Sequence, residues 1–514
     1  MKSLLVGTLV AISFSYIHSS DAATLAEGAN YIDTFVSETQ GLGPGFGIVI
    51  VGAEEVYLNK VWGFRNAAKQ LPLTTTTPIY IASQTKAYVG LVAAFLDRQG
   101  LLKLGSPLSQ FWPTTSFPTG FDAGKWTLRD LLSHQVPLNA ELITELEAYY
   151  SEIAAADYPA LLSITATSRP VGFDYDNLGY NLYAAILQQA TGKSWRTWLN
   201  EVIFKPFAMA HTSSKTSDFA ADSLSWHHIW QGQTLGYATL APKPDALMQS
   251  AGGIVTSTSD MAKWLQLNLS KGSQHITAEM LTLAHTSMVK RDEKQRNSYE
   301  MPCAGYSLGW NICELDGTPV YIHGGGYTGA QSLMALVPAL NLGFAAFGNS
   351  DNLTGLQALR IFKQLMLFLN DDPETASWRT RRLAIYPENV DKWLKHREQK
   401  YHSSLSDPKW QNWAFTPDAK TLARYNGIYL GRSPYFKIAI SNCEQTLLAK
   451  LGDTEISLKP ATASLFGGFK LSRGVPIPFA APEPFEFKLD QNGDAVALKW
   501  RDEWLTKQPN LEQK

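Results

Sequence analysis

At 514 residues the chain is too long for one small core and points to two or three domains. Its 45% hydrophobic and 18% charged residues are ordinary for a soluble globular protein. A formal net charge of -2 supplies neither an electrostatic footprint for nucleic acid nor a polybasic membrane patch.

The first segment reads as a signal peptide over residues 1–22. Lys2 supplies the positive start, Leu4 to Ile17 is an uncharged apolar run, and Ser20-Asp21-Ala22 places small residues at the cleavage offsets, with the cut near Ala22 or Ala23. The rival reading is a membrane anchor, but the run is shorter than the roughly 20 residues a spanning helix needs. No Cys lies near the cut, which argues against a lipid anchor, and no later stretch is long and apolar enough to span. The expected location is therefore exported, periplasmic or secreted, with no stable membrane span after cleavage.

Residues 24–370 alternate strand-like and helical patterns, as in an α/β or α+β enzyme. Phe46 to Val51 is a strand candidate, and Tyr80-Ile81-Ala82 leads into a helix. Ala87 to Gln99 is helical and apolar on one face; Trp126 to His134 is a second helix capped by Thr127; Tyr180 to Thr191 is a third, ended by Gly192. Residues 371–419 are charged and Trp-rich, with helical pieces such as Asn389 to Tyr401, and read as a helical linker packed on a neighbour. Residues 420–510 are strand-and-turn material, with turns at Tyr425-Asn426-Gly427 and Gln491-Asn492-Gly493, and read as a small β accessory domain. Of the three Cys, Cys303 and Cys313 flank a strand-like run and either bridge or remain buried free thiols; Cys443 is left over. No His or Cys grouping has metal-ligand spacing, so no metal and no other cofactor is expected.

Three motifs carry chemistry. Ser83-Gln84-Thr85-Lys86 is an S-x-x-K motif at a strand-to-helix junction, where three residues bring the Lys86 amine beside the Ser83 hydroxyl. A serine hydroxyl attacks only when a base takes its proton, and a lysine is that base only if burial or nearby positive charge lowers its pKa. The same motif occurs at Ser287–Lys290, ending a helical segment before the charged run Lys290 to Arg296, and at Ser406–Lys409, in a turn; neither context suits catalysis. Tyr175-Asp176-Asn177 offers a phenol for proton transfer and an amide to bind a carbonyl and fix Lys86; the plain alternative is a loop Tyr and a helix-capping Asn. A second Y-x-N, Tyr57–Asn59, lies within a strand. His323-Gly324-Gly325-Gly326 follows a strand, Val320 to His323, in a hairpin turned by Asp316-Gly317; its glycines let a substrate lie against the strand edge, and the alternative is a plain Gly-rich turn.

Together these motifs resemble the serine β-lactamase and penicillin-binding-protein superfamily, in its class C β-lactamase-like branch. Tyr80 to Lys86, Leu101 to Leu104, Thr127 to His134, Ala251-Gly252-Gly253, Tyr306 to Trp310 and Gly348-Asn349-Ser350 look like further landmarks. The resemblance implies an α+β fold: an antiparallel sheet with flanking helices and a helical lobe, the site lying between them. It implies an enzyme forming an acyl-enzyme on Ser83, with Lys86 and Tyr175 as the proton-transfer pair and Asn177, His323, Gly325 and Gly326 binding substrate. The Ser83 and Gly326 amides would form the oxyanion hole. The implied substrates are small esters, D-amino-acid peptides or β-lactam-like amides; the competing reading is a catalytically silent scaffold of the same fold. Oligomeric state stays open, as does which of Lys86 and Tyr175 is the base.

Two departures bear on substrate. Asp176 stands where Ser or Ala is usual, and the third motif begins with His323, mostly neutral at pH 7, rather than Lys. Both predict a weak hold on a substrate carboxylate, and hence esters and D-peptides over β-lactams. The terminal β domain carries none of the motifs and is expected to be dispensable for the chemistry.

Overall fold

The computed structural model describes residues 23–39, 42–232, 236–291, 298–351, 354–443, 446–452 and 454–509. The expected signal peptide, residues 1–22, lies outside the described residues.

The chain opens with α1 (Leu25–Glu38), started by a capping box in which Thr24 and Glu27 exchange hydrogen bonds. It then lays down β1 (Gly45–Val51), β2 (Val56–Asn66) and β3 (Leu71–Pro72). The remaining strands of this sheet come only after a long helical insertion: β4 (Val289–Lys290), β5 (Cys303–Tyr306), β6 (Asn311–Leu315), β7 (Thr318–Tyr327), β8 (Ala330–Val337) and β9 (Leu342–Gly348). The nine strands run in the order β4-β5-β6-β7-β8-β9-β1-β2-β3, and each pairing is antiparallel. The expected α+β sheet is thus present.

Every residue of β1 and β9 is buried, so these central strands read as continuous apolar runs, not as an alternation. Phe46, Ile48 and Ile50 pack with α1 and α6 (Thr354–Leu369) on one face. Val49 and Val51 join the core of the helical lobe on the other. Of the two alternatives for Cys303 and Cys313 the bridge is the one present: they lie opposite each other on the neighbouring strands β5 and β6 and form a disulfide. Asp316 and Gly317, both with positive φ, turn the β6–β7 hairpin as the D-G pair predicts.

The lobe is built around α2 (Thr85–Arg98), in which every residue from Thr85 to Ala94 is buried. The helix is thus apolar all round rather than on one face, as befits the centre of a bundle. Tyr88 stacks on Trp264 of α5 (Thr258–Leu269) with ring centroids 3.7 Å apart, clamping lobe to sheet. The expected helix from Trp126 is shorter, α3 (Leu128–Leu132), but Thr127 caps it as the sequence predicts. The helix expected from Tyr180 starts two residues sooner, as α4 (Leu178–Thr191), and stops at Gly192 with φ 72°.

The segment read as a helical linker contains one 31-residue helix, α7 (Thr375–Leu405), followed by a 3-10 turn at Pro408–Trp413. Beyond it lie β10 (Gly427–Leu430), β11 (Lys437–Cys443), β12 (Thr446–Leu451), β13 (Thr454–Pro460), β14 (Leu465–Ser472), β15 (Val475–Pro476), β16 (Glu483–Leu489), β17 (Ala495–Trp500) and β18 (Glu503–Lys507). Their order is β13-β12-β11-β10-β18-β17-β16-β14-β15, and β13 also pairs with β14. That last pairing closes the sheet into a barrel and leaves β15 outside the ring.

The barrel packs directly on the lobe. Tyr435 donates to Asp157 at 2.7 Å and accepts from the Ala154 amide at 3.1 Å. Arg501 reaches Glu145 at 2.6 Å, and the Tyr150 and Trp500 rings meet edge to face at 5.7 Å. A Cβ on Gly452 would stand 1.8 Å from the Tyr150 carbonyl oxygen. These contacts converge on residues 145–158, the flank of the helical lobe.

Candidate active site

Ser83 sits in a 3-10 turn, Ala82–Gln84, that runs straight into α2. Ala82 has φ 47°, in the left-handed region that costs a non-glycine residue about 1–3 kcal/mol and concentrates at functional sites. Two things hold this turn. The Ile81 amide donates to the Ile254 carbonyl at 3.2 Å, and β7 passes so close beneath that a Cβ on Gly325 would stand 2.0 Å from the Ile81 oxygen. Gly325 is therefore the residue that lets the strand approach the turn. Gly326, one step on, has nothing within 4 Å of its Cβ position and borders the open cleft beside Ser83.

Lys86 is fully buried on the first turn of α2. Its Nζ donates to Ser83 Oγ at 3.2 Å, to Asn177 Oδ1 at 2.8 Å and to the Ala251 carbonyl at 2.8 Å, matching the three donors of an ammonium. The rings of Tyr175 and Tyr180 stand 4.9 and 5.5 Å from it. Desolvation pulls the lysine down to about 7, with the Asp176 carboxylate partly opposing the fall. S-x-x-K thus delivers the lowered amine that the chemistry demands. The other two copies do not: the Ser287 hydroxyl turns to the Val289 carbonyl, and Ser406 ends α7 while Lys409 pairs with Asp407 at 3.2 Å.

Tyr175 is 42% exposed along the cleft and lines it together with Ser83. Desolvation pushes its phenol well above the usual range, with the neighbouring Ser83 hydroxyl opposing part of the rise. The neighbouring residues divide the work differently from the plain alternative. Asp176, not Asn177, caps α4, accepting from the Gly179 amide at 3.1 Å. Asn177 makes no side-chain cap and is left to hold Lys86. Asp176 also pairs with Arg169 at 3.3 Å. Burial pushes this carboxyl up, but its contacts with His134, the Gly179 amide and Arg169 outweigh burial and hold it ionised, below its usual range. The extra acid is spent inside the lobe, its charge countered by Arg169. Of the two Y-x-N segments it is Asn177 that contacts Lys86, at 2.8 Å, whereas Asn59 donates to Ser259 on α5.

His323 is 2% exposed. Its Nδ1 faces the Gly324 carbonyl at 2.6 Å, so it carries the proton, and Nε2 accepts from the Tyr306 hydroxyl at 3.2 Å. Desolvation, with repulsion from Lys86, pulls the ring down to about 3, so it is neutral. The cleft of about 360 Å³ is lined by Ser83, Phe173, Tyr175, Arg291, Tyr299, Asn311, His323, Gly324 and Gly326. Sequence reasoning missed Arg291, Tyr299 and Asn311. Arg291 donates to Asn311 Oδ1 at 2.7 Å and lies 4.8 Å over the Phe173 ring. Tyr299 accepts from the Gly324 amide at 3.0 Å, tying the third motif to the segment after Arg291. The charge balance of the cleft thus differs from the expectation: Asp176 is engaged by Arg169, and a buried arginine borders the cleft near His323.

Residues 32–364 match the family model described as Beta-lactamase. The chain belongs to the beta-lactamase family. This is a family of serine hydrolases, and Ser83, Tyr175 and His323, one residue from each of the three motifs read in the sequence, line one cleft. Protein flp of Staphylococcus aureus (strain NCTC 8325 / PS 47) is 25% identical over 329 residues, 62% of this chain and 63% of its own length. The match therefore spans less than two thirds of that relative. An octameric penicillin-binding protein homologue from Pyrococcus abyssi shares the fold, with a TM-score of 0.57 at 19% identity, over 94% of this chain and 100% of that one. A D-amino acid amidase from Ochrobactrum anthropi SV3 gives the same TM-score of 0.57 at 18% identity, over 68% of this chain and 99% of its own. The likeness to the Pyrococcus abyssi structure, over 94% of this chain, reaches past the matched family segment to the β barrel. Among the described residues of this beta-lactamase family member, no group of His, Cys, Asp and Glu has the geometry of a metal site, and no helix is long and apolar enough to cross a membrane.

Proposed function

We propose that the chain is an exported serine hydrolase that forms an acyl-enzyme on Ser83 and acts on small D-amino-acid peptides, amides or esters, including β-lactam-like amides. The observation that carries the reading is a buried Lys86, lowered to about 7, with its Nζ 3.2 Å from Ser83 Oγ. In this reading neutral Lys86 takes the Ser83 proton as Oγ bonds to the substrate carbonyl carbon. The protonated Tyr175 phenol then gives its proton to the leaving amine or alkoxide, and the Lys86 proton replaces it. The Ser83 and Gly326 amides receive the oxyanion. Water attacks the acyl-enzyme by the reverse relay. The test is intact-mass spectrometry of protein from the exported fraction, exposed to a fluorophosphonate, a penicillin and a D-Ala-D-Ala peptide. A mature start near Ala22 or Ala23 and one covalent adduct on Ser83 are expected; a chain that retains its leader and takes no adduct would overturn the proposal.

Arg291 bears on the substrate. Its planar guanidinium, which also donates to Asn311, suits a carboxylate, and it lines the cleft together with His323. Arg291→Gln is expected to lower kcat/KM for a D-Ala-D-Ala peptide about 10- to 100-fold, the worth of one hydrogen bond to a charged group. Turnover of a short-chain nitrophenyl ester, which has no carboxylate, should barely change. Equal losses on both substrates would remove Arg291 from carboxylate recognition.

The barrel contacts also alter what truncation should do. Ending the chain at Asn370 strips support from residues 145–158 and uncovers Tyr150. We expect the shortened chain to melt lower and to label at Ser83 several-fold more slowly than the full chain, rather than at full rate. Thermal melts and labelling time courses check this; unchanged values would show that the barrel is dispensable.

A further inference from the structure

Glu147 is 1% exposed, on the π-helical turn Leu146–Tyr150 of the lobe. Burying a carboxyl is costly unless its oxygens find donors. Here one oxygen accepts from the Tyr158 hydroxyl and the other from Asn181 Nδ2 at 2.7 Å. Even so, desolvation raises Glu147 to about 8. Glu147 does not border the cleft.

The Asn181 amide connects it to the site. With Nδ2 committed to Glu147, Asn181 Oδ1 faces the other way. It accepts from the Ser250 hydroxyl at 2.9 Å and from the Ala251 amide at 3.1 Å. The carbonyl of that same Ala251 accepts from Lys86 Nζ at 2.8 Å. Turning the amide over would set Nδ2 against the Ala251 N–H and Oδ1 against a carboxyl oxygen, so Glu147 and the Ala251 amide together fix its orientation. Asn177, just before α4, and Asn181 within it are one turn apart and lie on one face. The first holds Lys86 directly, and the second holds the peptide that holds Lys86.

We propose that Glu147 is a positioning residue for Lys86, acting through the Asn181 amide and the Ala251 carbonyl. The inference rests on the reading of Lys86 as the partner of Ser83. The groups that face Lys86 are Tyr175, Tyr180, Asp176, His134 and His323; those that face Glu147 are Tyr158 and Glu152. Glu147 acts on Lys86 by geometry rather than by charge. Loosening the cradle admits water, and desolvation is what holds the lysine down, so its titration midpoint should rise.

The test is the rate at which a fluorophosphonate labels Ser83 in the full chain, measured against pH, with melts run alongside. Glu147→Leu should label roughly 10- to 100-fold more slowly, the scale set by small misplacements of reacting groups, and its pH midpoint should move up from about 7. Glu147→Gln keeps an acceptor for Asn181 and should stay close to wild type in both. If Glu147→Leu does not fold, Asn181→Ala removes the relay amide and should show the same slowing and shift. Wild-type rate and midpoint in a folded Glu147→Leu or Asn181→Ala overturn the inference alone. So does a Glu147→Gln as impaired as Glu147→Leu, which would make the carboxyl itself the active feature. No labelling of the wild type overturns both the inference and the reading beneath it.

Discussion

Ser83→Ala is expected to lower turnover of any substrate found by at least about 10³-fold, the scale seen when an attacking nucleophile is removed. It should also abolish fluorophosphonate labelling while the protein stays folded. The second half follows from the packing. Ser83 is only partly buried, and alanine leaves the turn held by the Ile81–Ile254 hydrogen bond and by the passage of β7 under Ile81. The Lys86 amine keeps two of its three acceptors. Rates on a nitrophenyl ester, adduct masses and a melt together test the claim. An adduct on Ser287 or Ser406, or full activity in the variant, would sink it.

The motifs are legible in the sequence because each is local. Three residues along a helix set the Ser83–Lys86 contact, and a D-G turn sets the strand that carries His323. What is not legible depends on partners distant in sequence. Nothing in Tyr175-Asp176-Asn177 says which residue caps α4; the answer depends on Arg169, which draws Asp176 into the lobe and so frees Asn177. Arg291 reads in sequence as one member of a charged run. It becomes a cleft residue only when β4 is placed at the edge of the sheet beside β5. Ala251 lies in one of the landmark segments, but a backbone carbonyl that binds an amine carries no side-chain signal.

The fold is legible to a similar depth. Caps and glycines place the ends of α3 and α4 to within a few residues, and an uninterrupted apolar run marks β1. Closure of the barrel is not legible, because it rests on the first strand, β10, meeting the last, β18, a pairing between the two ends of the domain that no local turn signal encodes. The single helix α7 reads in pieces because its sequence is charged and Trp-rich, with little apolar periodicity to join one turn to the next.

Lys86 and Tyr175 are expected to behave as one unit. In the proposed relay the Ser83 proton passes to Lys86, and Tyr175 supplies the leaving-group proton and recovers it from Lys86. Lys86→Ala and Tyr175→Phe should each cost most of the rate, about 10²-fold or more, and the double variant little beyond the worse single one, since groups that share a step are not additive. The pH profile separates their roles. Desolvation lowers Lys86 to about 7 and raises Tyr175 above the usual phenol range. As a base, Lys86 works only unprotonated, so the acylation rate should climb with pH through about 7 and level off above it. Tyr175→Phe should lower the plateau and leave the rise in place. Lys86→Ala should remove the rise. Stopped-flow or steady-state rates from pH 5 to 9 on the four proteins decide the matter, where about 10-fold per pH unit marks the limiting slope of one ionisation. Losses that multiply independently would break the shared relay, and a rise that survives Lys86→Ala but vanishes in Tyr175→Phe would transfer the base to the tyrosine.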